Sequence, residues 1–140
     1  MPAYLDASVV VSTLVAEART PAVFRFLASA GDDLIVSELT AAEVASAISR
    51  MVRRGDMSSA DGLGRLARFD AWRRAATVDA EIDSLDLRGA SFLVRRFELK
   101  LRTPDAIHLA ASLRLGATLV TGDGTLANAA RDNNGLVLEF

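Results

Sequence analysis

RTPDAIHLAASLRLGATLVTGDGTLANAA, residues 102–130, opens as a helix, breaks at a glycine and continues as a strand. Thr103 is a good N-cap residue, because its hydroxyl can accept a bond from a free amide of the first turn. Pro104 suits that turn, where a missing N–H is no loss, and Gly116 stops the helix. The helix is therefore expected over 103–115. "TLV" at 118–120 is a short apolar run between polar residues. Such a run reads as a strand buried on both faces, as in a parallel sheet. Asp105 falls in the first turn of the helix, and Asp123 just past the carboxyl end of the strand.

The same kind of run recurs elsewhere: "AYL" before Asp6, "LIV" at 34–36 and "LVL" at 136–138, with "ATV" at 76–78 as a weaker candidate. Helical patterns lie between them. Residues 38–53 place Ala41, Val44, Ala45, Ile48, Met51 and Val52 at helical spacing, with Ser37 as cap and Gly55 as stop. A second helix starts at Ser58 or Ser59 and runs to about Arg74, and a third is expected over 82–96. Alternating strands and helices give an α/β fold class, a three-layer α/β/α sandwich around a central parallel sheet of about five strands. With no repeat, low-complexity tract or long linker, one domain over 1–140 is expected. Ligands of such sheets bind outside the carboxyl ends of the strands, where the strand order reverses.

Composition narrows the chemistry. Of 140 residues, 51% are hydrophobic, which excludes a disordered chain. No apolar run is long enough to cross a bilayer, and the first residues lack a basic stretch, an apolar stretch and a cleavage site. A soluble cytoplasmic protein with no membrane partner is expected. The chain has no cysteine, which excludes disulfides, thiol nucleophiles and zinc–thiolate sites. His108 is the single histidine, so a site built from several histidines is excluded. The balance of 16 basic and 18 acidic residues, net −2, does not by itself mark a nucleic-acid binder.

Asp6, Glu43, Asp105 and Asp123 occupy marked places. Each has an ordinary structural explanation. Asp6 could cap a helix starting near Val9, Asp105 could complement a helix dipole, Asp123 could be turn chemistry, and Glu43 could be a solvated helix residue. Their joint placement adds something, because a parallel sheet points all these elements at one edge. Converging carboxylates repel and raise one another's pKa, and no arginine cluster is obviously placed to neutralise them. A hard divalent cation, Mg²⁺ or Mn²⁺, would do so.

"YLDAS" at the start, "TAAEVASAI" around Glu43, "RTPDAIHLAA" around Asp105 and "LVTGDGTLANAA" around Asp123 resemble the PIN-domain ribonucleases, and within them the VapC-type toxins. The similarity runs along essentially the whole chain, loosely over 55–100. It implies that Asp6, Glu43, Asp105 and Asp123 bind the metal and that Ser8 and Thr121 support them through hydrogen bonds; Asp6 is the expected central ligand, because a strand end is the most rigid of the four positions. It implies metal-dependent hydrolysis of RNA to 5′-phosphate and 3′-hydroxyl ends, by a toxin that inhibits translation. It also implies a VapB-type antitoxin partner and a homodimer. Val23, Phe24 and Leu27 read as an apolar groove wall on an early helix that would contact that partner.

The basic stretches at 52–55, 72–74 and 94–102 are candidate RNA contacts, or equally solvated helix faces or protein interfaces. His108 shares Asp105's helical face. A packed histidine near the sheet edge is the expectation, with a general-acid role as the sharper alternative. A haloacid-dehalogenase-like phosphatase would need a second acid where Ser8 stands and an acidic pair after a late lysine. A receiver-like domain would need adjacent acids after the first strand and a lysine beyond Lys100. The non-enzymatic alternative is a catalytically silent scaffold whose acidic pocket binds a basic partner segment.

Overall fold

The computed structural model describes residues 1–31 and 33–140. Strands β1 (Ala3–Leu5), β2 (Leu34–Ser37), β3 (Val78–Ala80), β4 (Thr118–Thr121) and β5 (Val137–Glu139) form one sheet in the order β3-β2-β1-β4-β5. Every pairing is parallel. Helices are α1 (Ala7–Leu14), α2 (Thr20–Ser29), α3 (Glu38–Arg54), α4 (Ser59–Ala76), α5 (Ser84–Arg95), α6 (Thr103–Arg114) and α7 (Gly124–Asp132), with a 3₁₀ turn over Phe97–Leu99.

Alternation along the strands sorts the core into two halves. Ala3, Leu5, Leu34 and Val36 face α1 to α4, where they pack with Val9, Val23, Val44, Ile48 and Phe69. Tyr4, Ile35 and Leu119 face the other way, against Ala90 and Leu93 of α5, Leu109 of α6 and Leu126 of α7. These are the three layers expected from the strand–helix alternation. The central strands β1 and β2 are buried throughout, while at the edges β3 is mostly exposed and β5 mostly half-buried. The edge strands consequently begin later than the apolar runs suggest. Ala76 completes α4 and Thr77 caps it, so β3 starts at Val78 instead of residue 76, and β5 starts at Val137. An edge strand needs fewer apolar residues, and Asp79 and Glu139 serve there.

Capping sets the helix starts that matter for the site. Ser37 caps α3, accepting from the Thr40 amide at 3.1 Å. Gly55, at φ 81°, ends it, a left-handed turn that favours glycine. Ser58 caps α4. In α6 the expected Thr103 cap is not formed. Thr103 is already helical, and extended Arg102 stands at the cap position without a side-chain bond to the first turn. Pro104 explains why little is lost, since it removes one of the amides a cap would serve. The opposite end of α6 is tied to α5 by Arg114, whose Nε and Nη2 each reach an Asp86 oxygen at 2.8 Å. Burial pushes the Asp86 carboxyl up, but the bonds from Arg114 outweigh it and hold it below the usual range. That stability is present above the unfolded pKa and is lost as pH falls through the lowered folded value.

Ser37 does more than cap. Its buried hydroxyl also meets Tyr4 Oη at 2.8 Å and Thr40 Oγ1 at 3.1 Å. Ser37→Ala is expected to destabilise the fold by about 2 kcal/mol, since it removes a cap and leaves a buried phenol short of a partner. Thermal unfolding would show this as a drop of roughly 6 °C. A drop under about 1 °C would mean that neither bond contributes.

Candidate active site

The strand order reverses around β1, which has β2 on one side and β4 on the other. Leu5 pairs with Val120, so Asp6 and Thr121 leave the sheet side by side at its carboxyl edge. Asp6 stands at the cap position of α1, which begins at Ala7 rather than near Val9, but its side chain bonds no helix amide. Its carboxylate is instead held inward. Oδ2 accepts from Ser8 Oγ at 2.7 Å and from Thr121 Oγ1 at 2.8 Å. Both hydroxyls are oriented in turn, because the Gly122 amide donates to Ser8 Oγ and the Asp123 amide to Thr121 Oγ1. Asp6 is only 6% exposed, so a carboxylate is fixed at the floor of a cleft rather than spent on a cap.

The other three acids line the same cleft. Glu43 reaches it from the second turn of α3 and Asp105 from the first turn of α6. Asp123, the N-cap of α7, uses one oxygen on the Thr125 and Leu126 amides, at 2.8 and 3.2 Å, so its capping role and its place in the cleft coexist. Burial raises the Asp105 carboxyl above its ordinary value. The Arg102 charge and hydrogen bond oppose this, and the charges of Asp123 and Asp6 reinforce it. Arginines are closer than expected: Arg19, Arg50 and Arg102 line the cleft too. Arg102 Nε donates to Asp105 Oδ2 at 3.2 Å, an i,i+3 pair across the start of α6. Arg50 lies two turns beyond Glu43 on α3, whereas Arg19 comes from the α1–α2 connection, where no periodicity marks it.

His108 is packed, as expected, and is fully buried. It is also part of the site. Nε2 lies 2.5 Å from Glu43 Oε2 and 3.5 Å from Asp6 Oδ1. Facing two carboxylates, which only accept, Nε2 carries a proton. Nδ1 lies 2.9 Å from Tyr4 Oη, which in turn meets Ser37 Oγ at 2.8 Å. Burial pushes the Tyr4 phenol up to about 12, so it keeps the proton this chain needs. The relay Ser37–Tyr4–His108–Glu43 positions Glu43 from beneath the sheet edge. His108 has no solvent access for a general-acid role.

Asp6 and Glu43 each bring one carboxylate oxygen, and these lie within 4.8 Å of each other and of His108 Nε2, whose proton makes it a group that orients Glu43 and not a ligand. With Asp105 and Asp123 facing them, this donor set suits a divalent cation that prefers oxygen. Of the basic stretches, Arg102 lines the cleft itself, while three arginines are paired away from it. Arg54 pairs with Asp56, Arg73 with Glu38 and Asp79, and Arg96 with Glu98. On the outside, Thr13, Leu14, Phe24, Leu27, Phe69 and Trp72 line a separate apolar groove. Val23 does not, since it is fully buried and points into the core. Among the described residues, no helix is long and apolar enough to cross a membrane.

Comparison with known proteins adds three findings. The family model of the PIN domain matches residues 3–132. Ribonuclease VapC46 of Mycobacterium tuberculosis is 34% identical over 131 residues, covering 91% of this chain and 89% of that protein. Among solved structures, VapBC2 from Rickettsia felis, bound to a DNA fragment from their promoter, superposes with a TM-score of 0.75 at 14% identity, over 100% of this chain and 99% of that one. VapC20 of Mycobacterium tuberculosis, a Sarcin-Ricin loop cleaving toxin, gives 0.70 at 19% identity, covering 91% and 94%. At such identities the structural likeness concerns the fold.

Proposed function

The chain belongs to the PIN-domain family, and from this we propose that it is a metal-dependent endoribonuclease of the VapC type, the toxin of a VapBC toxin–antitoxin pair that acts in the cytoplasm and inhibits translation. The observation that carries the reading is Asp6. Its carboxylate is buried, tied by Ser8 and Thr121, free of any capping duty and ringed by three further acids. A merely structural aspartate at a strand end would have bonded the α1 amides.

Asp6, Glu43, Asp105 and Asp123 are the proposed catalytic and metal-binding residues, with His108 holding Glu43. Mg²⁺ or Mn²⁺ is the proposed ion; when bound, it offsets the phosphodiester charge and makes water a better nucleophile. The protein supplies the rest. Ser8 and Thr121 keep Asp6 in one rotamer, so the ligand set needs little rearrangement. The Tyr4–His108 pair does the same for Glu43. Arg102 steadies Asp105 at the rim. The haloacid-dehalogenase-like alternative gains nothing from this geometry, since Ser8 is engaged in holding Asp6 and offers no second acid.

The apolar groove beside Phe24, Leu27 and Trp72 supports docking of a VapB-type antitoxin. Leu85, Phe92 and Leu113, exposed on α5 and α6, support a homodimer.

The test is cleavage of total cellular RNA by the purified protein, with Mg²⁺ or Mn²⁺ and with EDTA. Discrete fragments that vanish with EDTA are expected. Fragments that persist in EDTA would remove the metal-dependent reading. No cleavage of any RNA, with Mg²⁺ binding intact, would favour the silent scaffold.

A further inference from the structure

We propose that Arg50 holds a backbone phosphate of the RNA strand where it runs from the acids along α3. The inference rests on the ribonuclease reading above. Of the three arginines that line the cleft, Arg19 pairs with Glu17 and Arg102 with Asp105, and Arg50 makes no ion pair or hydrogen bond among the described residues. Arg50 is exposed, so an incoming strand can reach it. The helix offers it no acid. Its neighbours one turn away are Ser46, Ala47, Arg53 and Arg54, and the two acids of α3 are taken, Glu38 by Arg73 and Glu43 by His108. Nor does the helix end need it, because Arg53 and Arg54 already stand in the last turn, where a cation complements the dipole.

Glu43, Ser46, Ala47 and Arg50 stand at the i, i+3, i+4 and i+7 places of one helix face, and all four line the cleft. Seven residues of helix advance about 10.5 Å, so Arg50 serves a phosphate further along the strand than the one met by Asp6 and Glu43. The wall between is low, because its residues are small: Ser46 and Ala47 on α3, Ala7 and Ser8 on α1. Ser46 gives a second, independent observation. Ser12, Ser29 and Ser112 turn their hydroxyls back onto their own helices, whereas Ser46 Oγ, exposed in the cleft lining, has no partner among the described residues. An uncommitted hydroxyl and an uncommitted guanidinium one turn apart match a sugar–phosphate backbone, the first able to donate to a single oxygen and the second, as a fork, to two phosphate oxygens. Four carboxylates repel an approaching strand, and an arginine bonded to none of them offsets that repulsion while leaving the acids open to metal.

The experiment measures binding of a short, mixed-sequence single-stranded RNA by fluorescence anisotropy over a range of KCl concentrations. It is done in an Asp6→Asn background so that the probe survives. Arg50→Ala should weaken binding about tenfold and flatten the salt dependence by about 0.7 in log–log slope, the value for one lost phosphate contact on a single strand. Arg50→Lys should keep the slope, because the charge remains, but not the full affinity, because the fork is gone. Arg53→Ala is the control, since Arg53 lies on the same helix but outside the cleft lining, bonded to Ser49, and its loss should leave the slope unchanged. An unchanged slope in Arg50→Ala, or an equal flattening in Arg53→Ala, overturns the inference. Arg50→Ala should melt within about 2 °C of its background, as expected for an exposed side chain that bonds nothing. A larger fall would give Arg50 a structural role and overturn the inference as well. Wild-type cleavage of RNA with an unchanged slope in Arg50→Ala would defeat only this inference. A wild type that neither cleaves nor binds RNA would defeat the ribonuclease reading and the inference with it.

Discussion

Asp6→Asn is expected to cut RNA cleavage by roughly 10³-fold while leaving the fold intact. The substitution keeps the shape of the side chain and removes its charge. An asparagine oxygen can still accept from Ser8 and Thr121, the two hydroxyls that bind the carboxylate now. The lost charge also relieves repulsion from Asp105, whose raised carboxyl already registers the Asp6 charge. The melting temperature should therefore stay within about 2 °C of the parent, or rise. Activity and stability move independently only if the residue is placed for chemistry. Were Asp6 a structural cap, the variant would lose stability and keep whatever activity the fold retained. The two measurements, cleavage rate and thermal unfolding on the same preparation, separate these cases. Thr121→Val supplies a graded control, since it removes one of the two bonds to Asp6 without touching the charge. Its loss of rate should be smaller than that of Asp6→Asn, and a larger loss would mean that Thr121 acts directly.

The elements that carry Asp6, Glu43, Asp105 and Asp123 were legible because each ends or begins at a chemically marked residue. Ser37 and Gly55 bracket the helix of Glu43, Pro104 and Gly116 bracket that of Asp105, and short apolar runs stop just before Asp6 and Asp123. A parallel sheet then aims all of them at one edge. What was not legible is what lies across the cleft. Glu43 and His108 are 65 residues apart and meet because α3 and α6 lie on opposite sides of the sheet edge. Periodicity reports which face of an element is buried, not which residue it meets there. Tyr4 reads as one apolar residue of a strand, and only its neighbours reveal the phenol as a link to His108. Arg19, which lines the cleft, lies in a connection with no period. The edge strands were misplaced by one or two residues for a related reason. Partial burial relaxes the demand for apolar side chains that makes the central strands easy to see.

Mn²⁺ or Mg²⁺ is expected to raise the melting temperature by roughly 9 °C when present at a hundredfold excess over its Kd, equivalent to about 2.7 kcal/mol of binding linkage. The gain comes from relief of repulsion within the acid set, so its pH dependence is fixed in sign by Asp105. Burial, reinforced by Asp123 and Asp6, raises that carboxyl in the folded protein against the opposing effect of Arg102. A carboxyl raised in the fold contributes stability that is complete below its unfolded pKa and is lost as pH rises through the folded value. The metal-free protein should therefore lose stability as pH climbs through that window. Over the same window protons stop competing for the site, so the metal-induced gain should grow. The two curves, with EDTA and with metal, should diverge as pH rises and converge as it falls. Asp105→Asn should flatten the metal-free curve across this window and reduce the gain from metal. A metal response that does not change with pH, or that survives Asp6→Asn undiminished, would place the cation outside this cleft. The acids would then be left as a surface for a basic partner segment rather than a centre for phosphodiester hydrolysis.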